Sequence, residues 1–329
     1  MTGLIAENRL LEAIQLLTQA NRVDRDAAVE AQLVELRRDA FSTLVRAAPA
    51  APLEIVADSV SDGPLPELSP NDLTTAVLRT GFARHGCVLV RGLIPRDRAQ
   101  MLAKGIDQAL AAMDAAVDGA PATQTAPWYL PFRPRDGRYP RREDGWRRSW
   151  LRDSGGMWTV DSPRMLFDVL DVVERTGIGD LLTDYLGERP ALSASKCTLR
   201  RIPVTTHSSW HQDGAFLGSD VRSANLWLAL SDCGVDAPGL DIVPRRLNQI
   251  LATGTEGSIF EWAVSPDVVA EAGLPVERPE FAPGDALLFD HWFLHRTTPD
   301  PTMTRERYAL ETWFFAPSTY PDGQIPIVY

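Results

Sequence analysis

His211 and Asp213 stand two residues apart, with Trp210 before them and Gly214 after. On an extended strand, side chains alternate between faces, so residues i and i+2 point the same way. An imidazole and a carboxylate would then project together while Gln212 faces the other side. Such a pair supplies two thirds of a 2-His-1-carboxylate facial triad, the ligand set that leaves three coordination positions on iron open for substrates and oxygen. His-x-Asp alone recurs by chance in many proteins, so the chemistry depends on a third ligand and on a group that holds a co-substrate.

The segment from Gly284 to Thr297 offers two histidines. His295 follows an apolar step and precedes a polar turn, where a strand end would face a cavity. His291 directly follows Asp290 in an expected bend. Beyond them Arg305, Glu306 and Arg307 lead into an aromatic strand. A facial-triad oxygenase needs a second substrate that chelates iron and supplies electrons. 2-Oxoglutarate does so through its keto acid end, which leaves its distal carboxylate for a fixed cation. The arginine fork meets a carboxylate in two parallel hydrogen bonds, and an arginine on the strand after the distal histidine suits that task.

These residues need elements to hold them. Residues 4–48 read as two helices by their apolar spacing, and 48–70 as a linker rich in Ala, Pro, Ser and Asp. A helix is expected from Ser69–Pro70 to about Arg84, with Ser69 or Asn71 as cap, then a buried strand over 86–92 and a long helix from Pro95 to Val117. Residues 128–158 interleave aromatics with arginines under Pro and Gly punctuation, and read as a long loop. Helices follow at 162–175 and 178–186. Strands are expected at 191–202, 208–213, 223–231, 240–243, 286–290 and 307–315, with 292–295 continuing the 286–290 strand. Residues 244–280 form an insertion with a short helix near 265–272. In 224–230, Leu226, Leu228 and Leu230 share one face, and Asn225, Trp227 and Ala229 the other. A β core preceded by helices suits a barrel or sandwich with helical flanks.

Composition narrows the function classes. A net charge of -11 over 329 residues argues against a nucleic-acid partner. No run of about 18 apolar residues exists to span a membrane, and the first nine residues lack the basic start and apolar core of a signal peptide. Cys87, Cys197 and Cys233 are isolated, so a reducing cytoplasm is the expected compartment.

The chain resembles the phytanoyl-CoA dioxygenase-like family of Fe(II)/2-oxoglutarate oxygenases. The residues that carry the likeness are His211-Gln212-Asp213-Gly214, Gly284 to Phe289, Leu294-His295-Arg296 and Arg307-Tyr308-Ala309-Leu310. Asn225 to Asp232, Gly239 to Pro244 and the strand from Gly86 to Leu93 add to it, and together they cover about residues 70–316. The resemblance implies a β-rich α+β fold with a double-stranded β-helix (jelly-roll) core, flanking helices and an N-terminal helical extension. The expected division is 1–60 for the extension and linker and 61–329 for the oxygenase domain, with 128–158 as a lid-like insertion.

The resemblance further implies Fe(II) on His211, Asp213 and His295, with 2-oxoglutarate and O2 as co-substrates. It places the distal carboxylate on Arg307, with Arg305 as the alternative, helped by the hydroxyl of Thr297. Lys196 is a further candidate for co-substrate contact. Relatives that halogenate carry a small residue at the position of Asp213, so a carboxylate there points to hydroxylation or related oxidation. The Pro244-Arg245-Arg246-Leu247 segment departs from the Pro-Gly-Ser-His turn of many relatives, which changes the cavity rim but no metal ligand.

The expected function is therefore hydroxylation, desaturation or cyclisation at a C–H bond of a small molecule, in keeping with secondary metabolism. Trp227, Asn225, Trp150 and Arg152 are the candidates for shaping the substrate cavity, and the Arg/aromatic loop favours an anionic or aromatic substrate. Two other readings compete: a cupin-like metalloenzyme that does not use 2-oxoglutarate, and an inactive jelly-roll binding protein.

Overall fold

The computed structural model describes residues 9–46, 63, 65–133, 148–206, 208–255, 258 and 260–329. The N-terminal pattern forms α1 (Leu10–Val23) and α2 (Ala27–Asp39). Asp26 caps α2, its carboxylate accepting from the amides of Ala28 and Val29. The apolar stripes of both helices close on Phe167 and Val328. The next helix, α3 (Thr75–His85), is capped by Thr74, not by Ser69 or Asn71. Leu73 is extended, so Pro70–Asp72 makes a single separate 3-10 turn. Three further helices follow the apolar spacing: α4 (Arg96–Val117), α5 (Pro163–Arg175) and α6 (Ile178–Leu186).

Among the described residues, eleven strands build two sheets. They are β1 (Glu67–Leu68), β2 (Cys87–Val90), β3 (Gly156–Trp158), β4 (Ala191–Ser193), β5 (Thr198–Ile202), β6 (Ser223–Ala229), β7 (Gly239–Ile242), β8 (Ala286–Phe289), β9 (His295–Thr298), β10 (Arg307–Phe315) and β11 (Pro326–Val328). The major sheet runs β1-β2-β8-β6-β10-β4-β11, and β5 shares the edge of β10 with β4 while carrying β3 outside it. The minor sheet is β7 with β9, widened by bridges from His211 to His295 and from Ile242 to Glu277.

The alternation expected over 224–230 holds. Leu226, Leu228 and Leu230 bury against the helices on the outer face, whereas Trp227 and Ala229 turn inward with Phe289, Trp313 and the minor-sheet residues Leu240 and Ile242. The inner core therefore lies between the two sheets, in the jelly-roll manner expected.

Several local expectations change. Residues 208–213 do not form a regular strand: Trp210 and His211 make isolated bridges, and Asp213 has helical dihedrals at the start of a short Gly214–Leu217 helix. Residues 290–294 are a turn, and His295 begins β9 in the other sheet rather than continuing β8. The 191–202 segment is broken by a turn into β4 and β5. The long loop contains the strand β3 and a helical stretch at 148–153; residues 134–147 of the expected lid lie outside the described residues. Strands β1 and β11 have no signal in the periodicity, because both are too short and owe their form to their partners.

Candidate metal centre and co-substrate pocket

His211 reaches the site through its bridge with His295, each backbone N–H donating to the other's carbonyl at 3.0 and 3.1 Å. This pairing sets the two rings 4.4 Å apart between centroids. Asp213 arrives one turn later. Its neighbour Gly214 donates to the carbonyl of His291 at 2.8 Å, and a Cβ at Gly214 would sit 3.0 Å from that oxygen and 2.7 Å from Ile250. Glycine therefore permits the close approach that turns the carboxylate inward. The ligand atoms of His211, Asp213 and His295 all lie within 4.8 Å of one another, and His295 Nε2 is 3.9 Å from Asp213 Oδ2.

Hydrogen bonds set the tautomers. His211 Nδ1 lies 2.8 Å from the carbonyl of Ser209, and His295 Nδ1 lies 3.2 Å from that of Phe293. A carbonyl only accepts, so each Nδ1 carries the proton and each Nε2 presents its lone pair. Burial, then the neighbouring His211, holds His295 well below the ordinary imidazole range, which keeps it in the neutral, ligating form. Burial also raises Asp213, against the pull of His211 and Lys196. Two imidazoles that each turn Nε2 inward and one buried carboxylate match a borderline divalent ion such as Fe(II), whose charge would offset the desolvation of Asp213.

Gln212, between the two ligands, faces away as expected. It is fully buried, its amide donating to the carbonyls of Gln249 and Trp292 while its oxygen accepts from Leu251 N. His291 is not part of the triad; its ring bonds Ser223 and the carbonyl of Ser219.

Beside the triad, alternation along β9 puts His295 and Thr297 on the inner face, and β10 brings Arg307 opposite. Arg307 is fully buried. Its guanidinium donates to the carbonyls of Pro238 and Gly239 at 3.3 and 3.2 Å and to Thr297 Oγ1 at 3.2 Å, and it lies 5.5 Å over the ring of Trp227. No carboxylate among the described residues forms an ion pair with it, and Nε has no hydrogen-bond partner. Burial lowers its pKa to about 10, so it stays charged at neutral pH. A buried cation is costly unless an anion meets it, so this pocket fits a carboxylate. Trp227 Nε1 is a second buried donor without a partner there. Arg305, by contrast, is more than half exposed and sits 3.5 Å from Asp236.

The remaining candidates scatter. Asn225 faces inward, but its oxygen accepts from Thr312 N. Lys196 Nζ lies 3.8 Å over the ring of Phe216, three residues after Asp213. Trp150 is 59% exposed, and Arg152 is bound by both oxygens of Asp114 on α4. Arg148, at the end of the same loop, is likewise committed to Asp161. Two inner-face residues escaped sequence reasoning, Arg200 on β5 and Glu311 on β10. The signal for Glu311 was present: it falls in step with Arg307 and Ala309 on one strand face.

A family model described as phytanoyl-CoA dioxygenase matches residues 82–306, well over half of the chain. The chain belongs to the phytanoyl-CoA dioxygenase family. It is accordingly an enzyme of the Fe(II)/2-oxoglutarate-dependent, non-haem oxygenase class, using iron, 2-oxoglutarate and O2. Among solved structures, EctD from S. alaskensis with 2-oxoglutarate and 5-hydroxyectoine is similar at a TM-score of 0.54 and 15% identity, over 85% of this chain and 86% of that chain. The apo form of EctD from S. alaskensis gives a TM-score of 0.52 at 14% identity, with the same coverage. No sequence among the curated proteins matches the chain. For this family member, none of the described helices is long and apolar enough to cross a membrane.

Proposed function

We propose that this dioxygenase-family chain hydroxylates, or oxidatively desaturates or cyclises, a C–H bond of a small molecule. His211, Asp213 and His295 hold the iron, and Arg307 with Thr297 fixes the distal carboxylate of 2-oxoglutarate. The observation that carries this reading is the buried Arg307, without an ion-pair partner among the described residues, on the same inner wall as the triad. Iron with 2-oxoglutarate and O2 supplies the oxidising power, 2-oxoglutarate leaving as succinate and carbon dioxide.

The chain's own part is placement. Thr297 orients the Arg307 fork, Trp227 lies beneath it and offers its indole N–H, and the rings of Phe289 and Phe293, 4.9 and 5.8 Å from His295, keep water off the ligand. Asp213 fills the coordination position with a carboxylate, which supports oxidation over halide transfer. Phe216, three residues after Asp213, and Trp262 packed against it support an aromatic or flat substrate body. The anionic preference loses support from Arg148 and Arg152, since both are already paired with acids. Three buried, unbridged cysteines suit a reducing compartment such as the cytoplasm.

The test compares Arg307→Met with Arg305→Met in 2-oxoglutarate binding. Losing one partner of a buried charge pair costs several kcal/mol, so Arg307→Met weakens 2-oxoglutarate by about 100-fold or more. Arg305→Met stays within about twofold, as an exposed ion pair contributes little. The reverse order would move the clamp to Arg305.

A further inference from the structure

The inner face of β10 runs on from Arg307 through Ala309 to Glu311 and Trp313. At the strand rise, Glu311 lies roughly 13 Å along from Arg307. Ala309 and its partner Ala229 are small and fully buried, so the wall between them is low. Glu311 is thus a separate group further along the wall from the carboxylate clamp, and its charge acts on Arg307 as well as on His211 and Asp213.

Glu311 Oε2 accepts from Thr198 Oγ1 at 2.8 Å. Oε1 faces Arg200 Nε at 3.6 Å, too long for a hydrogen bond. That Nε is buried and has no hydrogen-bond partner. The two side chains keep 15% and 29% of their surface, so a ligand reaches both. Gly156 on the neighbouring β3 makes room for the guanidinium: a Cβ there would fall 2.8 Å from Nη1. An ionised donor and an ionised acceptor therefore face each other as an ion pair that makes no hydrogen bond between them.

An aromatic pair stands beside Lys196, in the turn that leads into β5. Phe216 meets Trp262 edge-on at 5.9 Å, and Trp262 is 42% exposed. Lys196, over Phe216, lies two residues before Thr198, and Arg200 follows two residues after on the same strand face.

We propose that Arg200 and Glu311 are the polar anchor of the oxidised substrate, which presents a hydroxyl or amide between them and rests its apolar body on Phe216 and Trp262. This rests on the oxygenase reading above. A hydroxyl donates to Glu311 and accepts from Arg200, making two charge-assisted hydrogen bonds where the pair alone makes none. The opposed charges of the pair cancel, which selects an uncharged donor–acceptor group over a free ion.

Anaerobic enzyme loaded with Fe(II) and 2-oxoglutarate is titrated with matched probes, benzyl alcohol against toluene and benzamide against methyl benzoate. Binding is read from the perturbed visible band and by equilibrium dialysis. The alcohol and the amide should bind about tenfold or more tightly than their counterparts, since a site built for hydrogen bonds rejects ligands lacking them. Arg200→Met and Glu311→Leu should erase that advantage while 2-oxoglutarate affinity stays within about twofold. Glu311→Gln, which keeps the shape and an acceptor oxygen, should retain part of it and serves if the leucine variant does not fold. Equal affinity within each pair, or no binding of alcohol and amide, overturns the proposal. So does a tenfold weakening of 2-oxoglutarate in the variants, because it places the pair at the co-substrate. Failure of the band to form with Fe(II) and 2-oxoglutarate sinks the oxygenase reading instead.

Discussion

At the scale of residues, each histidine of the triad is held by the carbonyl two positions before it in its own chain. The outer partners are thus backbone groups, which no side-chain substitution removes. Iron affinity should depend mainly on the ligands themselves. Asp213→Ala should weaken Fe(II) by more than about 100-fold in equilibrium dialysis, beyond the 10- to 100-fold typical of losing an outer partner. Retention of near wild-type affinity would remove Asp213 from the ligand set. The structure brings His211 and Asp213 together with His295, although the strand from which their spacing was read does not form. The choice between His291 and His295 was not legible from spacing, since both follow apolar or acidic residues in one short segment. What separates them is long-range: Ser223 and the carbonyl of Ser219 occupy His291, while His295 pairs across to His211. Between Arg305 and Arg307 the resemblance favours Arg307, and the structure adds that Arg305 is exposed beside Asp236 whereas Arg307 is buried.

At the scale of elements, the site depends on two small devices. The first is Gln212, which staples the ligand segment to Gln249, Leu251 and Trp292. Gln212→Ala leaves buried donors and acceptors unpaired and should destabilise the fold by roughly 2–4 kcal/mol. It should also weaken iron binding, and a chemical denaturation midpoint equal to wild type would contradict this account. The expectation of a strand over 208–213 failed because Asp213 turns into the Gly214–Leu217 helix, a change that Gly214 makes possible and that the i, i+2 pattern does not register.

The second device is Asp241, outward on β7, which binds Arg278 at 2.6 Å and Arg296 of β9 at 2.9 Å. Burial would raise its carboxyl, but Arg278, Thr298 and Arg296 overcome that and hold it below the usual range. Its stabilisation is therefore full above about pH 4, where the unfolded carboxyl is also ionised, and is lost as pH falls through the lower folded value. The gap in Tm between wild type and Asp241→Asn should hold from neutral pH down to about 4 and close below it. A gap independent of pH would show that the ion triad does not lock β7 to β9.

At the scale of the whole molecule, the N-terminal helices belong to the helical layer that backs the major sheet. Glu30 on α2 is buried and its carboxylate binds Arg164 of α5 at 2.7 Å, while Arg22 and Arg25 reach Asp171 and Asp168 on the same helix. Glu30→Ala strands a partly buried arginine and should cost about 3 kcal/mol in stability. Because α5 lies on the outer face, affinity for Fe(II) and 2-oxoglutarate should stay unchanged; a parallel loss of both would tie the extension to the site. The long helices α1, α2, α4, α5 and α6 were legible, since a local apolar period suffices to place them, whereas the short Gly214–Leu217 helix and the helical stretch at 148–153 carry no such period. The partition of strands into two sheets was not legible, because His295 leaves β8 through a turn whose meaning lies in its pairing with β7. The contact of Arg307 on β10 with Thr297 on β9 follows from that partition.

The central claim is that three ligands and one buried arginine assemble a single site for iron and 2-oxoglutarate. Anaerobic addition of Fe(II) and then 2-oxoglutarate tests it most directly. A visible charge-transfer band that needs both components, and that Asp213→Ala and Arg307→Met each abolish or shift to far higher concentrations, is the predicted result. Iron binding with no response to 2-oxoglutarate, or a full band in either variant, would contradict the account.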